Sequence, residues 1–410
     1  MGSDESGSES SVIVTGAGPT GMTAALALHA RGVPVTILEA DPQDRERPGS
    51  RAIYIHGATL HTLEQNSPGL GKKLADEGIV WPTRRTLWRG KQVFERTYSN
   101  PGGSGELPHF TSLPQVWTED YMLEALEDAG VEVHWDSPVE TVESSLDGVR
   151  VETEDGDEWE ASYLVGADGA GSTVRKQIGA EFDGEESKNS FVIADVEEDP
   201  ENPRRLERVF HYDHPAVDGR NVLLVPFQGG WRVDIQCKET DDPERLANDD
   251  VISNLVATTL GERYRDRVSW VSTYQFLQVT ADRFIDDHRR VLLAGEAAHL
   301  FAPFGARGMN SGIADADAAA SAITVALQSN VDSVRRAEVE QYAALRERSA
   351  AWNKDAAGQA LEYLQGDSPV TKAKKRLAAA ASDHWERAGE WLDDAPYGPH
   401  GSPPTSVGQY

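Results

Sequence analysis

The sequence predicts an α/β protein: a Rossmann-like parallel sheet, an inserted β-sheet unit, and helices toward the C-terminal end. Three observations predict it. A strand, a glycine-rich turn, a helix and a second strand open the chain. Two further segments follow in a fixed order: Tyr163-Leu164-Val165-Gly166-Ala167-Asp168-Gly169, then Gly295-Glu296-Ala297-Ala298-His299 running on through Pro303 to Gly308-Met309-Asn310. Strand-like runs fill the stretches between them.

The opening unit has a physical reason at each position. Val12 to Thr15 is a short apolar, β-branched run, which suits a buried parallel strand. Gly16, Gly18 and Gly21 follow in GxGxxG spacing, with Pro19 and Thr20 between them. Gly16 permits the tight turn. Gly18 lets backbone approach a pyrophosphate, and Gly21 lets the helix pack closely on the strand. The helix is expected from about Thr20 to Arg31, with its N-terminal N–H groups and dipole facing the phosphates. A second strand, Val35 to Leu38, ends in Glu39, where an acidic residue accepts hydrogen bonds from an adenosine ribose.

The nucleotide unit is expected in three pieces, residues 11–80, 115–185 and 281–365. The first adds a helix near His56 to Gln65. The second holds a helix over Glu119–Ala129, a strand at Val131–Trp135 and a meander turning at Asp147-Gly148. Residues 81–114 and 186–280 read as the inserted sheet. Its strands are expected around Arg84–Arg89, Gln92–Tyr98, Phe191–Val196, Arg208–Tyr212, Val222–Pro226, Trp231–Cys237 and Ser272–Gln278, with one helix at about Pro243–Leu260. A sheet placed against a nucleotide unit is a natural roof for a substrate pocket. Helices are expected over Asp315–Leu327 and Arg335–Leu364, and over Thr371–Leu392 within a C-terminal segment, residues 366–397. Residues 1–10 and 398–410, rich in Ser, Gly and Pro, are expected to be disordered.

Composition narrows the function. The net charge is −29, from 68 acidic and 39 basic residues, which argues against nucleic-acid partners and anionic membranes. The acids are spread along the chain, as in proteins from salt-loving organisms, rather than gathered into a substrate-facing patch. Cys237 is the single cysteine, so neither an intrachain disulfide nor a cysteine metal cluster can form. The eleven histidines include no HxxxH pair, and no metal is expected. No apolar run has the length of a membrane span and the first residues are polar, so a cytoplasmic protein without membrane insertion is expected.

The three motifs, their order and two connecting signatures resemble the group A flavoprotein monooxygenases, the para-hydroxybenzoate hydroxylase family. The likeness is greatest to the branch around 3-(3-hydroxyphenyl)propionate hydroxylase and the polyketide aromatic hydroxylases. The connecting signatures are Ser50-Arg51-Ala52 and Leu113-Pro114-Gln115; Val279-Thr280-Ala281-Asp282-Arg283-Phe284 is a third local match. The resemblance implies non-covalent FAD. Gly16, Gly18 and Gly21 would hold its pyrophosphate and Glu39 its ribose. Arg51 and Gln115 would contact its phosphate and ribityl regions. Asp168 would help bind FAD and the nicotinamide cofactor. Glu296 stands in a GDAAH-like segment beside the ribityl chain, where the family usually has Asp. Pro303 would pass beside the isoalloxazine, and the loop Gly305 to Asn310 would lead into a helix whose N-terminus faces flavin N1 and O2. Ala306 stands where many members have Gly, so a conformation that suits alanine is expected there.

The implied activity is that of an FAD-dependent monooxygenase. NADH or NADPH, bound transiently, reduces the flavin. O2 forms a C4a-hydroperoxide, and one oxygen atom passes to a phenolic or polycyclic aromatic substrate. His211 and Tyr212, on a roof strand, are candidates for a catalytic base, and alternation turns at most one of them inward. His299 reads as structural, and Trp231, Tyr274 and Phe276 as candidates for the pocket lining. The alternative is a flavin reductase or dehydrogenase of a hydrophobic substrate without oxygen insertion. A halogenase lacks support, because no WxWxIP segment is present. A monomer or homodimer is expected.

Overall fold

The computed structural model describes residues 12–99, 107–366 and 368–397, with the side chains of 185–189 and 365 set aside. The expected disordered ends, residues 1–10 and 398–410, lie outside the described residues. The central sheet is parallel, in the order Val291–Leu293, Tyr163–Gly166, Val12–Thr15, Val35–Leu38 and Glu132–His134. Every residue of its three inner strands except Val35 is buried, which explains their unbroken apolar runs. The helix Pro19–Ala30 lies on the sheet with Met22, Ala24, Ala25 and Leu28 fully buried, and Arg307–Gln328 and Gln115–Ala129 pack beside it.

The second layer is an eight-stranded sheet. Its order is His299–Leu300, Val268–Ala281, Phe182–Glu197, Gly230–Gln236, Arg220–Phe227, Glu207–His214, Thr83–Trp88 and Lys91–Thr97. One face carries Val192, Ala194, Val196, Val222, Leu224, Val233 and Ile235 into a closed core with Ile252 and Val256 of the helix Asp249–Thr259. The opposite face looks toward the nucleotide unit. Alternation along each strand makes this split, so the pattern of every second residue decides which side chains reach the cleft.

Several boundaries differ from expectation. The strand Phe110–Ser112, grouped by sequence with the inserted sheet, pairs with Tyr54–His56. The helix expected over 243–260 is two, Pro243–Leu246 and Asp249–Thr259, because Asn248 breaks the run and caps the second. The helix expected over 371–392 is also two, Pro369–Ala381 and Glu386–Asp394. The second of these docks on the outer strands through Asp393, which is fully buried between Arg84 and Arg208.

Candidate active site

The strands leading into the three motifs are neighbours in the parallel sheet, so their C-terminal ends open along one edge. At the first motif, Gly16 has φ of 95°, and a Cβ there would lie 2.4 Å from the Ala167 carbonyl oxygen. A Cβ at Gly21 would lie 1.8 Å from the Gly16 oxygen, so strand and helix meet only because both residues are glycine. Gly18 is different: a Cβ there would meet nothing within 4 Å. It fronts open space at the start of the helix Pro19–Ala30, which no side chain caps. Thr20 turns the other way. A Cβ at Gly295 or Gly312 would come within 2.5 or 2.4 Å of its hydroxyl, which locks the third motif onto the first helix.

Glu39 is buried at the end of its strand and reaches back to the turn, accepting from the Ala17 N–H and, at 3.0 Å, from the Asp41 N–H. Asp168 faces its own loop. It accepts from the Ser172 hydroxyl at 2.6 Å and from the Thr173 and Val174 N–H groups at 2.7 and 3.1 Å. Both of its oxygens therefore shape the turn that follows the second motif.

Gln115 is bonded to the turn that carries Arg51. The Gln115 N–H donates to the Ser50 carbonyl at 2.9 Å, and its side-chain oxygen accepts from the Ala52 N–H at 3.3 Å. Arg51 is exposed, with φ of 52°. The same turn is tied to the inserted sheet. Ser50 donates its N–H and hydroxyl to Asp195 at 2.5 and 2.7 Å, and Arg232 donates to the Arg51 carbonyl. Burial pushes the Asp195 carboxyl up, against the opposing pull of Ser50 and Arg232.

At the third motif, Glu296 is exposed. The surrounding protein raises its carboxyl, with His299 and Arg51 pulling the other way. His299 is structural: Nε2 bonds the Asp315 carboxylate at 2.6 Å, and that carboxylate also accepts from Gly295 N–H at 3.0 Å and from Arg346. Burial alone would raise Asp315, but Arg346 and His299 hold it below the usual carboxylate range.

The loop beyond Pro303 ends in Gly305, φ 81°, and Ala306, φ 53°. Ala306 thus adopts the left-handed conformation that suits glycine, contrary to expectation. The helix starts at Arg307, three residues before Asn310, and no side chain caps it. A Cβ at Gly308 would meet nothing within 4 Å, so this helix start also fronts open space, and Met309 is partly exposed beside it. Asn310 fixes the helix end: it accepts from His56 N–H at 2.9 Å and the Thr59 hydroxyl at 2.6 Å, and donates to the Tyr54 and Ala306 carbonyls at 2.9 and 2.8 Å.

An apolar cavity lies between this loop and the cleft-facing side of the eight-stranded sheet, lined by Phe191, Ile193, Phe210, Leu223, Phe276, Pro303 and Phe304. Its polar lining is Asn221 and Asp234. Of the expected lining residues, Phe276 is present. Tyr274 stands next to it with ring centroids 5.1 Å apart, and Trp231 points into the opposite core. Neither His211 nor Tyr212 lines the cavity. Tyr212 is buried and donates to the Leu392 carbonyl at 2.7 Å. His211 accepts from Gly90 N–H at 2.9 Å, and burial with His214 and Arg85 lowers its pKa to about 4. Both positions are held by structural bonds. The sequence reading missed Asp195, Asn221, Arg232 and Asp234. The available signal was polar residues at every second position of strands otherwise built from buried valine and isoleucine.

Residues 9–353 match the FAD binding domain family, and the chain belongs to it. It is 33% identical over 319 residues to a 6-methylpretetramide 4-monooxygenase of Streptomyces rimosus, covering 74% of this chain and 54% of that protein. It is 28% identical to a para-nitrophenol 4-monooxygenase of a Pseudomonas species, covering 78% and 79%. The chain thus spans about half the length of the first of these relatives. The solved p-nitrophenol 4-monooxygenase PnpA of Pseudomonas putida superposes with a TM-score of 0.75 at 22% identity, covering 95% of this chain and 98% of that one.

The residues present fit FAD. Two uncapped helix starts, at Pro19 and Arg307, each have an adjacent glycine facing open space. Each offers N–H donors and a positive dipole end to an electron-rich group. Among the described residues no helix is long and apolar enough to cross a membrane, and no metal-ligand cluster occurs.

Proposed function

We propose that this protein is an FAD-dependent, NAD(P)H-consuming monooxygenase that places one atom of O2 on a phenolic or polycyclic aromatic substrate. The observation that carries this reading is the apolar cavity, walled on one side by Pro303 and Phe304 of the loop that enters the uncapped helix and on the other by the aromatic sheet face. An aromatic ring held there lies against the loop that would carry the isoalloxazine. The named relatives act on aromatic or polycyclic compounds by their own descriptions, which supports the same reading.

Bound FAD supplies the redox chemistry, accepting electrons from the nicotinamide and delivering one oxygen atom to the ring while the second leaves as water. The chain's own residues bind, orient and exclude water. Gly16, Gly18 and Gly21 shape the pyrophosphate turn. Glu39 closes the ribose end, and Arg51, Gln115 and Glu296 border the ribityl region. The helix start Arg307–Asn310, pinned by the four Asn310 bonds, directs donors and a positive dipole end where negative charge grows on reduction. Phe191, Phe276 and Phe304 keep the reacting ring dry. The experiment is a panel of phenols and polycyclic aromatics scored for faster NAD(P)H oxidation, matched oxygen uptake and entry of oxygen-18 from O2 into product. Product formed without O2, or free of label, replaces this reading with that of a reductase.

A further inference from the structure

Asp234 is a carboxylate set among apolar neighbours. In register it stands between Ile193 on one adjacent strand and Leu223 on the other, and all three line the cavity. Placing a charge there is costly unless bonds hold it. One bond does: its Oδ1 accepts from Arg232 Nε at 2.9 Å. Arg232 is itself fixed, because its guanidinium also donates to the Arg51 carbonyl. Among the described residues, the second carboxylate oxygen has no hydrogen-bond partner.

Asn221, the other polar side chain in the lining, is already committed. Its oxygen accepts from Asp213 N–H at 3.1 Å, and its amide donates to Gln236 at 2.7 Å and to the Leu364 carbonyl at 3.3 Å. The polar capacity left to a ligand is therefore an acceptor, Asp234 Oδ2. An ionised carboxylate accepts and does not donate. The matching ligand group is a donor on an otherwise apolar body, which describes a neutral phenol.

We propose that Asp234 accepts a hydrogen bond from the hydroxyl of a phenolic substrate and so fixes which ring carbon faces the Pro303–Phe304 loop. This rests on the hydroxylase reading above. Arg232 is the positioning residue: it holds one carboxylate oxygen and leaves the other for the ligand. The remaining charged or titratable groups near this pair, among the described residues, are Asp195 on the adjacent strand, Tyr274 on the strand beyond it in the same sheet, and Arg51 and Glu296 of the nucleotide unit. A ligand that presents a carboxylate or phenolate to Asp234 is repelled, so the site selects the protonated hydroxyl.

The test uses the FAD-loaded full chain with 4-nitrophenol, whose ionisation is visible in its absorbance, and its methyl ether 4-nitroanisole. In the wild type, bound 4-nitrophenol should stay protonated to a pH about one unit above its free-solution value, because a like charge opposes its ionisation. The ether should bind about tenfold more weakly or worse, because it covers the partly buried acceptor without pairing it. Asp234→Asn should abolish both differences. Asp234→Glu should restore the protonated probe while changing affinity. A wild-type probe that ionises at or below its free-solution pH, equal binding of the ether, or no binding of either compound overturns the proposal. The pH titration needs no variant, so a misfolded Asp234→Asn cannot rescue it. Oxygen-18 incorporation decides the hydroxylase reading separately.

Discussion

Replacing Asp315 by Asn tests the anchor of the third motif. Asp315 is fully buried and joins three elements: Gly295 N–H at 3.0 Å, His299 Nε2 at 2.6 Å and the Arg346 guanidinium of the long C-terminal helix Asp332–Gln365. Asparagine keeps the shape but removes the charge, leaving Arg346 buried at 5% exposure without a counter-ion. Breaking a buried pair from one side costs about 3–5 kcal/mol. The pH dependence has a definite sign. The Asp315 carboxyl is held below its ordinary value. Its contribution is therefore complete above the unfolded value of about 3.9 and fades as pH falls through the lower folded value. The assay is urea unfolding of wild type and variant, followed by tryptophan fluorescence at fixed FAD, from pH 8 down to the acid limit. The difference should be flat from pH 8 to 5 and shrink below about pH 4. A cost under about 1 kcal/mol, or a difference that grows on acidification, refutes the reasoning.

Three other outcomes follow from the same structure. Glu39→Ala should weaken FAD binding by about 1–3 kcal/mol, because it strands the Ala17 N–H and removes the ribose acceptor; titration of the apoprotein with FAD checks it, and unchanged affinity counts against the site. Ala306→Gly should stabilise the protein by roughly 0.5–1 kcal/mol, the relief of a left-handed alanine less the entropy of glycine, as read by urea unfolding; a loss of stability contradicts the backbone assignment. The melting temperature should rise from low to molar salt, because screening relieves the repulsion of a −29 chain, and a flat or falling trend rejects the halophilic reading.

The nucleotide unit was legible because its physics is local. Val12–Thr15 is buried at every residue, and Gly16, Gly18 and Gly21 each have the surroundings their spacing implied. A glycine turn, a strand period and a terminal acid are short-range signals. The substrate wall was legible as strands but not as a wall. Asp195 and Arg232 face each other across two strands, and Asp234 lies in the row that holds Ile193 and Leu223, in a sheet whose register the chain does not announce locally. His211 and Tyr212 misled for the same reason. Each is a polar residue on a roof strand, but its partner is distant: Gly90 in one case and the Leu392 carbonyl in the other. Ala306 shows the limit of propensity. Alanine is disfavoured at positive φ, yet the turn between Pro303 and the Arg307 helix needs that geometry, and the tertiary setting imposes it.

The Ser50–Arg51 turn ties the two layers together at the proposed site. Arg51 is exposed, while the backbone of the turn and the Ser50 hydroxyl are held by the sheet through Asp195 and Arg232. Arg232 in turn sets the orientation of Asp234 through a 2.9 Å bond. Arg51, proposed to meet the cofactor, and Asp234, proposed to meet the substrate, are thus linked through Arg232 and the same short stretch of backbone. That stretch has little freedom to answer one demand without the other. Gly49 packs against Trp270 so closely that a Cβ would come within 2.3 Å of the ring, and Arg51 is already in the left-handed region. A site assembled this way would keep the proposed cofactor and substrate positions in register by geometry.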